Sequence, residues 1–563
     1  MRRRGFLRSV GVGTALGGGG LGLLVQACTP AAPAAPPAAT AGPTGTSSLT
    51  LPTYVAFQGP PADLPDSPDG LVPPGYLNYP RSPTRSVQQP VGSGEDVTAV
   101  TYTTQAPPTP AEQNPAWQRV NQETGFNVKL PLTQLADYPT KLNTIIAGGA
   151  SSLPDLLSLG AGNGLGIANL PEFLQSQCTD LTPLVSGDAV KQFPNLANLP
   201  PYAWRNAVFN NRIFAVPSVR HSISNSIMFG KGTLLEPVGG INFPSTDDFL
   251  KAMKQLSGGG SQWGLGSTSG APTNGLPAIA TYFLESFGAP NVWRSAGGKL
   301  TKDWETDEFQ AAIAYVRQLW DAGVIHPDSP TMSVNQAAQN FYAGKYALWA
   351  NGLIIGDVVW NRANAQDRNF SMRAVAPFPA KPSSKPVHHL GTGANLLTVL
   401  RKTTADQAAK LLGLLNYVSA PFGTQEYLTM WYGVEGVEFD FDQNHNPVIS
   451  AKGQTDLFIP WPNVGAAPSV LYDASSADYA RVISKDVAPI QGMGIPNPVV
   501  GLYSQTNAQR AASLNQKMGD GLMAIIFGRS EMSSYDQLVA DWRGQGGDQI
   551  RAEFEQALQS GHN

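Results

Sequence analysis

Between Val97 and Leu159 the apolar pattern changes period four times, and this alternation narrows the possible folds more than any other feature of the chain. Val97-Thr98-Ala99-Val100-Thr101-Tyr102 is β-branched and alternating, the mark of a strand. Asn114-Pro115 then supplies a helix N-cap and a proline at the first helical position. Trp117 and Val120 make an apolar stripe, and Gly125 closes the helix. Phe126 to Leu132 reads as a second strand, and Asp137 to Gly148 as a second helix with Leu142, Ile145 and Ile146 inward. Leu153 to Leu159 is a short apolar third strand. Strand, helix, strand, helix, strand is the βαβ alternation, so an α/β fold with a parallel sheet is expected.

The alternation resumes further on. Asn211 to Pro217 reads as a strand ended by its proline, and Thr246 caps a helix to Leu256. Thr306 caps a long helix carrying Phe309, Ile313, Val316 and Trp320, stopped by Gly323. A helix from Ser333 to Tyr342 leads through Gly344 into the strand Tyr346 to Ala350, and the last third is helical over 405–418, 508–527 and 535–559. At 563 residues the chain exceeds one typical core, so two lobes are expected.

The charge balance removes some function classes. Only 14% of residues are charged, the formal net charge is −4, and no basic run occurs beyond the first residues, so no nucleic-acid partner is expected. The two cysteines are Cys28 and Cys178. If Cys28 belongs to a leader, Cys178 has no partner for an intramolecular disulfide and reads as a small buried thiol.

Other motifs fail on their chemistry. Asp440 to Asn446 spaces its oxygens like a calcium loop, but His445 stands where glycine is needed and Ala451 where glutamate is, so a β-hairpin with a polar tip is expected. His388-His389 lies in no zinc-ligand spacing. The glycines of 160–166 lack a nucleotide-binding register, and Gly266 to Gly270 has Thr268 where a hydrolase elbow needs serine. No metal, no cofactor and no catalytic residue are expected.

The N-terminus carries an address. Arg3-Arg4 with Phe6 and Leu7 form a twin-arginine export signal, followed by an apolar stretch broken by Gly17 to Gly20. Val25-Gln26-Ala27-Cys28 resembles a bacterial lipobox, which implies a signal peptide over 1–27 and a lipid on Cys28. Residues 28–48 then form a Pro/Ala/Gly/Thr tether, and the proline-rich 49–96 reads as an irregular segment packed on the body.

Several blocks, taken in order, resemble one family. Asn114 to Trp117 with Glu123-Thr124-Gly125, Asp137-Tyr138 with Lys141-Leu142, Ala147-Gly148-Gly149 and Leu153-Pro154-Asp155 are similar to the N-terminal lobe of extracellular solute-binding proteins of ABC importers, family 1, the maltodextrin-binding type. Asn211 to Pro217, Trp320 to Pro327 with Phe341 to Leu348, and Tyr432 to Gly436 with Trp542 to Gly547 resemble later blocks of that family. The last pair points to its longer lipoprotein branch, associated with aldouronate or other oligosaccharide uptake.

The resemblance implies a two-lobed, type II periplasmic-binding-protein-like fold with the ligand in the cleft between lobes. Lobe one would be 97–217 plus 378–420, and lobe two 218–377 plus 421–563. It further implies a monomer, a carbohydrate ligand, an ABC permease as partner, and a membrane tether through Cys28.

Sugar clefts set aromatic faces against pyranose C–H groups and flank them with planar hydrogen-bonding side chains. On that logic the candidate ligand-binding residues are Trp349 and Asn351 at a strand end, Trp431 and Tyr432 before Gly433, Trp461 between two prolines, and Trp263. Arg220, beside His221 after the Pro217 crossing, and Ser158 near a strand's carboxyl end complete the set. Trp117, Trp320 and Trp542 lie on helical stripes or caps and read as core. The alternatives are a secreted glycoside hydrolase, for which no acid pair stands in a recognisable motif, and a binding protein for a non-sugar solute.

Overall fold

The computed structural model describes residues 49–161, 166–167, 169–221, 227–268, 276–351, 360 and 370–559, Asn351 by its backbone alone. The twin-arginine leader, Cys28 and the 28–48 tether lie outside the described residues. Two sheets organise the body. Their strands are β1 (Asp96–Val100), β2 (Asn127–Lys129), β3 (Leu156–Gly160), β4 (Ala215–Val219), β5 (Ile227–Lys231), β6 (Trp263–Gly266), β7 (Tyr346–Asn351), β8 (Met372–Val375) and β9 (Ala394–Leu400). The first sheet has the order β2-β1-β3-β9-β4 and the second β6-β7-β5-β8.

β1 runs parallel to β2 and to β3, with Asp96 opposite Asn127 and Ala99 opposite Leu156, as the alternation predicts. β9 is antiparallel to β3 and β4, with Leu397 facing both Leu159 and Pro217. Local periodicity carries no sign of this, because β9 reaches the first sheet only after the chain has built the second. The expected strand Asn211–Pro217 is two pieces. Arg212–Ile213 makes a hairpin with Val208–Phe209, and β4 then runs through Pro217 to Val219. Pro217 does not end β4 because that strand is the sheet's edge, where a residue without an N–H can face outward without breaking a ladder. On the same outer side the Val219 N–H donates to the Ala466 carbonyl at 3.2 Å.

Helix α1 (Pro115–Thr124) has the expected ends: Asn114 Oδ1 accepts from the Trp117 N–H at 3.0 Å, and Gly125 takes a φ of 76°. Trp117 and Val120, with Leu142 and Ile145 of α2 (Tyr138–Ala147), bury on the first sheet, while Ile146 stays at the rim. Helix α3 (Thr246–Leu256) is capped by Ser245 rather than Thr246. The Ser245 Oγ accepts from the Asp248 N–H at 3.2 Å, whereas the Thr246 hydroxyl donates to the Ala380 carbonyl at 2.8 Å. Thr306 caps α4 (Asp307–Asp321), whose Phe309, Ile313 and Val316 are buried, and Trp320 lies at the rim against Phe527.

The first core gathers side chains from 97–219 and 394–420, and also Met430, Ile459, Trp461 and Val464, which were expected in the second lobe. The second core draws on 228–378 and 499–554. A third lies against the second sheet, with Phe229, Phe341, Tyr346 and Trp349 facing Tyr479 and Ile483.

The segment 49–96 packs on the first and third cores and supplies the centre of a small fourth cluster. Val55 donates to Ala197, Leu71 and Val72 join the third core, Tyr79 sits among Phe422, Tyr432 and Tyr472, and Val91 returns to the end of α1 at Thr124. Cys178 is a buried thiol of the first core, pushed up to about 12 by that burial. Phe439–Phe441 and Pro447–Ile449 form the hairpin in place of a calcium loop. Asp442 Oδ1 is engaged by the N–H groups of Asn444 and Asn446, and His445 holds a φ of 68°.

Candidate functional site

Strand direction decides where a ligand can meet both sheets. β1, β3 and β4 are parallel, so they end at one edge, where antiparallel β9 begins. The chain leaves β4 at that edge for β5, and returns from the end of β8 to the start of β9. In the second sheet β5 begins, and β6, β7 and β8 end, at the edge joined by these crossings.

At the first sheet's edge the polar side chains form a chain. Arg220 Nη1 donates to Asn395 Oδ1 at 3.4 Å, and Asn395 Nδ2 donates to Tyr102 Oη at 3.3 Å. The Tyr102 ring meets Tyr138 edge-on at 5.5 Å, and Tyr138 Oη donates toward the Ser158 carbonyl at 2.7 Å. Backbone bonds fix the frame, with Ala161 N–H to the Asn395 carbonyl and Arg220 N–H to the Gly393 carbonyl. Burial holds the Arg220 guanidinium below its usual value, opposed by neighbouring Tyr102. Its Nε is buried and has no hydrogen-bond partner among the described residues.

A loop at 461–464 lies on the same sheet, held by three strand hydroxyls. Ser158 Oγ of β3 donates to the Asn463 carbonyl at 2.8 Å, Thr398 Oγ1 of β9 to Val464 at 2.6 Å, and Ser218 Oγ of β4 to Pro462. Asn463 Nδ2 in turn donates to the Tyr102 carbonyl at 2.9 Å. The loop closes one wall of a cavity of about 330 Å³, whose other walls are Thr103 to Gln105, Met430, Trp431 and residues 457–460. That volume lies within the range of small-molecule sites. Trp431, on helix α5 (Gln425–Tyr432), is 46% exposed and stacked on Tyr427 at 5.5 Å, and Phe458 is 48% exposed. Aromatic faces held open in this way are what a pyranose C–H face packs against.

The structure therefore places Trp431 and Trp461 on one cavity, with Ser158 holding its loop, while Arg220 stands on the separate polar row through Asn395 to Tyr102. Trp461 lines the cavity but is 2% exposed and packs edge-on against Trp117 at 5.9 Å, so it supports the wall. Ser158 is buried, and its hydroxyl goes to the 461–464 loop instead of the cleft.

Three candidates lie elsewhere. Trp349 is fully buried in the third core beside Phe341, because β7 is an interior strand covered on both faces. Trp263 begins β6 and so stands at the far edge from the crossings, against His326 at 4.3 Å. Tyr432 turns into the Tyr79 cluster, away from its neighbour Trp431. Asn351 ends β7 at the joined edge, and its side chain is outside the described residues. Tyr102, Asn395, Asn463 and Phe458 were not among the sequence candidates. The one sequence signal for them was position, just past β1, at the start of β9, and beside Trp461.

The fold is that of two-lobed α/β solute-binding proteins. It matches a human-milk-oligosaccharide-binding solute-binding protein of Bifidobacterium longum infantis with a TM-score of 0.61 at 14% identity, over 82% of this chain and 98% of that one. It also matches FusA of S. pneumoniae, solved with fructo-nystose, with a TM-score of 0.60 at 16% identity, over 83% and 99%. Residues 116–436 match the family model of bacterial extracellular solute-binding proteins, and the chain belongs to that family. Among curated relatives it is similar to the polygalacturonan/rhamnogalacturonan-binding protein YtcQ of Bacillus subtilis, 22% identical over 77% of this chain and 86% of that protein. It is also similar to the lipoprotein LipO of the same organism, 20% identical over 81% and 91%.

His221, the residue after Arg220, is buried, and burial holds it down to about 4, with His388 acting the same way and the Gly70 backbone opposing. The unfolded chain binds this proton near 6.5. Between those values the unfolded state carries more protons, so the stability from neutral His221 is complete above about pH 6.5 and is lost as pH falls toward 4. Urea unfolding should show up to ~3 kcal/mol less stability at pH 4 than at pH 7.5 from this residue. His221→Gln should flatten that part of the slope; an unchanged slope would remove His221 as its source.

Proposed function

We propose that this chain is the capture subunit of an ABC importer for oligosaccharides, held outside the membrane by a lipid on Cys28, acting as a monomer and catalysing no reaction. One observation carries the reading: an open cavity with two exposed aromatic side chains adjoins the hydrogen-bonded row Tyr102–Asn395–Arg220 at the edge where the two sheets are joined. Stacking faces beside planar amide and guanidinium groups suit a sugar's two kinds of surface. Family membership supports solute capture, and the ligands of similar proteins, polygalacturonan and rhamnogalacturonan for YtcQ and fructo-nystose for FusA, support a carbohydrate.

In this reading the lobes are built on the two sheets, and they close over the ligand by bending between β4 and β5 and between β8 and β9. The ligand stabilises the closed form because it contacts both walls only there, and the permease reads that form. Among the described residues no helix is long and apolar enough to cross a membrane; in this reading the attachment is an acylated Cys28. Two or more acyl chains anchor stably, and the 28–48 tether keeps the protein at high effective concentration near its permease.

Calorimetric titration of the mature chain with neutral and acidic oligosaccharides tests capture, and chromatography of the recovered sugar tests for hydrolysis. Binding with intact sugar is expected; cleaved sugar, or no binding to any oligosaccharide, would overturn the reading. Trp431→Ala should weaken binding by roughly 1–3 kcal/mol, the range for an exposed aromatic that becomes buried against a ligand. An unchanged affinity would place the sugar elsewhere. Cys28→Ala should move the protein from the membrane fraction to the medium, and retention on the membrane would rule out the lipid anchor.

A further inference from the structure

Two fully buried acids, Glu438 and Asp456, stand behind the Trp431 cavity, each on a segment that presents one of its exposed rings. Glu438 lies just past α5 and Trp431. Its Oε2 accepts from the Val434 N–H at 2.9 Å, and its own N–H donates to the Val434 carbonyl at 3.0 Å. Asp456 lies just before Phe458, and its carbonyl accepts from Asn114 Nδ2, at the cap of α1, at 2.9 Å. The two segments close on each other through the backbone. The Ser450 N–H donates to the Glu438 carbonyl at 2.8 Å, and Gly453 packs so near that carbonyl that a Cβ there would collide with it.

The two carboxyl groups are served unequally. Asp456 Oδ1 accepts from the Thr109 hydroxyl at 2.5 Å and the Thr455 hydroxyl at 3.2 Å, and Oδ2 meets Lys452 Nζ at 2.7 Å. Burial opposes its ionisation, but Lys452 and the hydroxyls outweigh burial and hold Asp456 below its usual value. Glu438 makes no ion pair among the described residues. Its Oε1 is buried without a hydrogen-bond partner there, and the Asp456 carboxyl group stands within bonding reach. Burial pushes Glu438 above the usual carboxylate range, Asp456 adds to the push, and the Val434 and Ala116 N–H groups oppose it. The other acids of these segments, Glu112, Glu435 and Asp440, are exposed. Two facing carboxylates in so buried a place repel each other, whereas one proton between them gives both oxygens a partner.

Resting on the reading of the Trp431 cavity as the sugar site, we infer that Glu438 is a positioning residue of that site. It keeps a proton, donates it in a hydrogen bond to Asp456, and so clamps the wall that carries Trp431 to the wall that carries Phe458. When that proton passes to water, two like charges face each other, the walls part, and the rings lose the spacing that grips a sugar. Capture is therefore tighter at low pH and weakens as pH rises through the Glu438 titration. Stability has the same sign, because the folded chain keeps this proton to higher pH than the unfolded chain does. The contribution is complete below the ordinary value of 4.5 and is lost above it, opposite to that of His221.

The first test needs no ligand. Acrylamide quenching of tryptophan fluorescence, with the Trp431→Phe signal subtracted to isolate that ring, is followed from about pH 4.5 to about pH 9. The native Trp431 signal should titrate in this range. Glu438→Gln, whose amide donates to Asp456 without a titrating proton, should keep the low-pH signal throughout. Lys452→Met removes the counter-charge of Asp456, so the pair should hold its proton longer and the midpoint should move up. Calorimetry with the neutral sugars nystose, maltotetraose and xylotetraose, which carry no titrating group, then reads capture. A sugar that binds should do so about three- to tenfold more tightly at the low end of the range, and equally at both ends in Glu438→Gln.

A native Trp431 signal that does not titrate, a titration that survives in Glu438→Gln, or sugar affinity equal at both ends would overturn the inference. A titration abolished by Glu438→Gln, with none of the three sugars bound, would uphold the clamp and count against the carbohydrate reading alone. Should Glu438→Gln not fold, Lys452→Met decides, and an unmoved midpoint would overturn the inference.

Discussion

Three hydroxyls on neighbouring strands hold the site together. Ser158, Thr398 and Ser218 come from β3, β9 and β4, strands whose other buried side chains are largely apolar, and each donates to one carbonyl of the consecutive residues 462–464. A buried hydroxyl without a partner costs ~1–3 kcal/mol, and so does a buried carbonyl, so the bonds lock the loop to the sheet from both sides. The cavity beside Trp431 then follows from the loop. Asn463 reaches the Tyr102 carbonyl, Trp461 packs on Trp117, and the cavity beside Trp431 has a floor.

The crossings between the sheets are built with similar care. His388 and His389 lie on the returning crossing. Glu285 stands 3.1 Å from His388 Nδ1, accepts from the His389 N–H at 2.9 Å, and His389 Nε2 meets the Ala289 carbonyl at 2.8 Å. The same short stretch pairs with Gly494–Ile495. On the outgoing crossing His221 is buried near His388 and the Gly70 turn, so the segment 49–96 touches this crossing as well as both sheets. On the proposed reading, closure would move a small number of well-bonded segments at these crossings.

Local chemistry was legible in the sequence and strand order was not. Asn114, Pro115 and Gly125 announce α1 because a cap, an N1 proline and a left-handed glycine act over a few residues. Cys178 and the 439–449 hairpin were equally readable from their neighbours. Pro217 misled because its meaning depends on whether β4 is an edge, which β9 decides from far along the chain. Trp349 and Trp263 stand away from the Trp431 cavity for a related reason. A tryptophan near a strand end faces a cleft only if that end and that face are open, and β7 is interior while Trp263 starts its strand. Tyr102, Asn395 and Arg220 meet across most of the chain, so no window of sequence contains their site.

The central claim is that the ligand lies at the edge where the sheets are joined, between the Trp431 cavity and Arg220. A crystal structure of the mature chain with the tightest-binding oligosaccharide tests this most directly. The account predicts a sugar ring packed on Trp431, hydrogen bonds from the Tyr102–Asn395–Arg220 row, and the second sheet's joined edge closed over the opposite face. A ligand that leaves residues 457–463 and Arg220 untouched would contradict it.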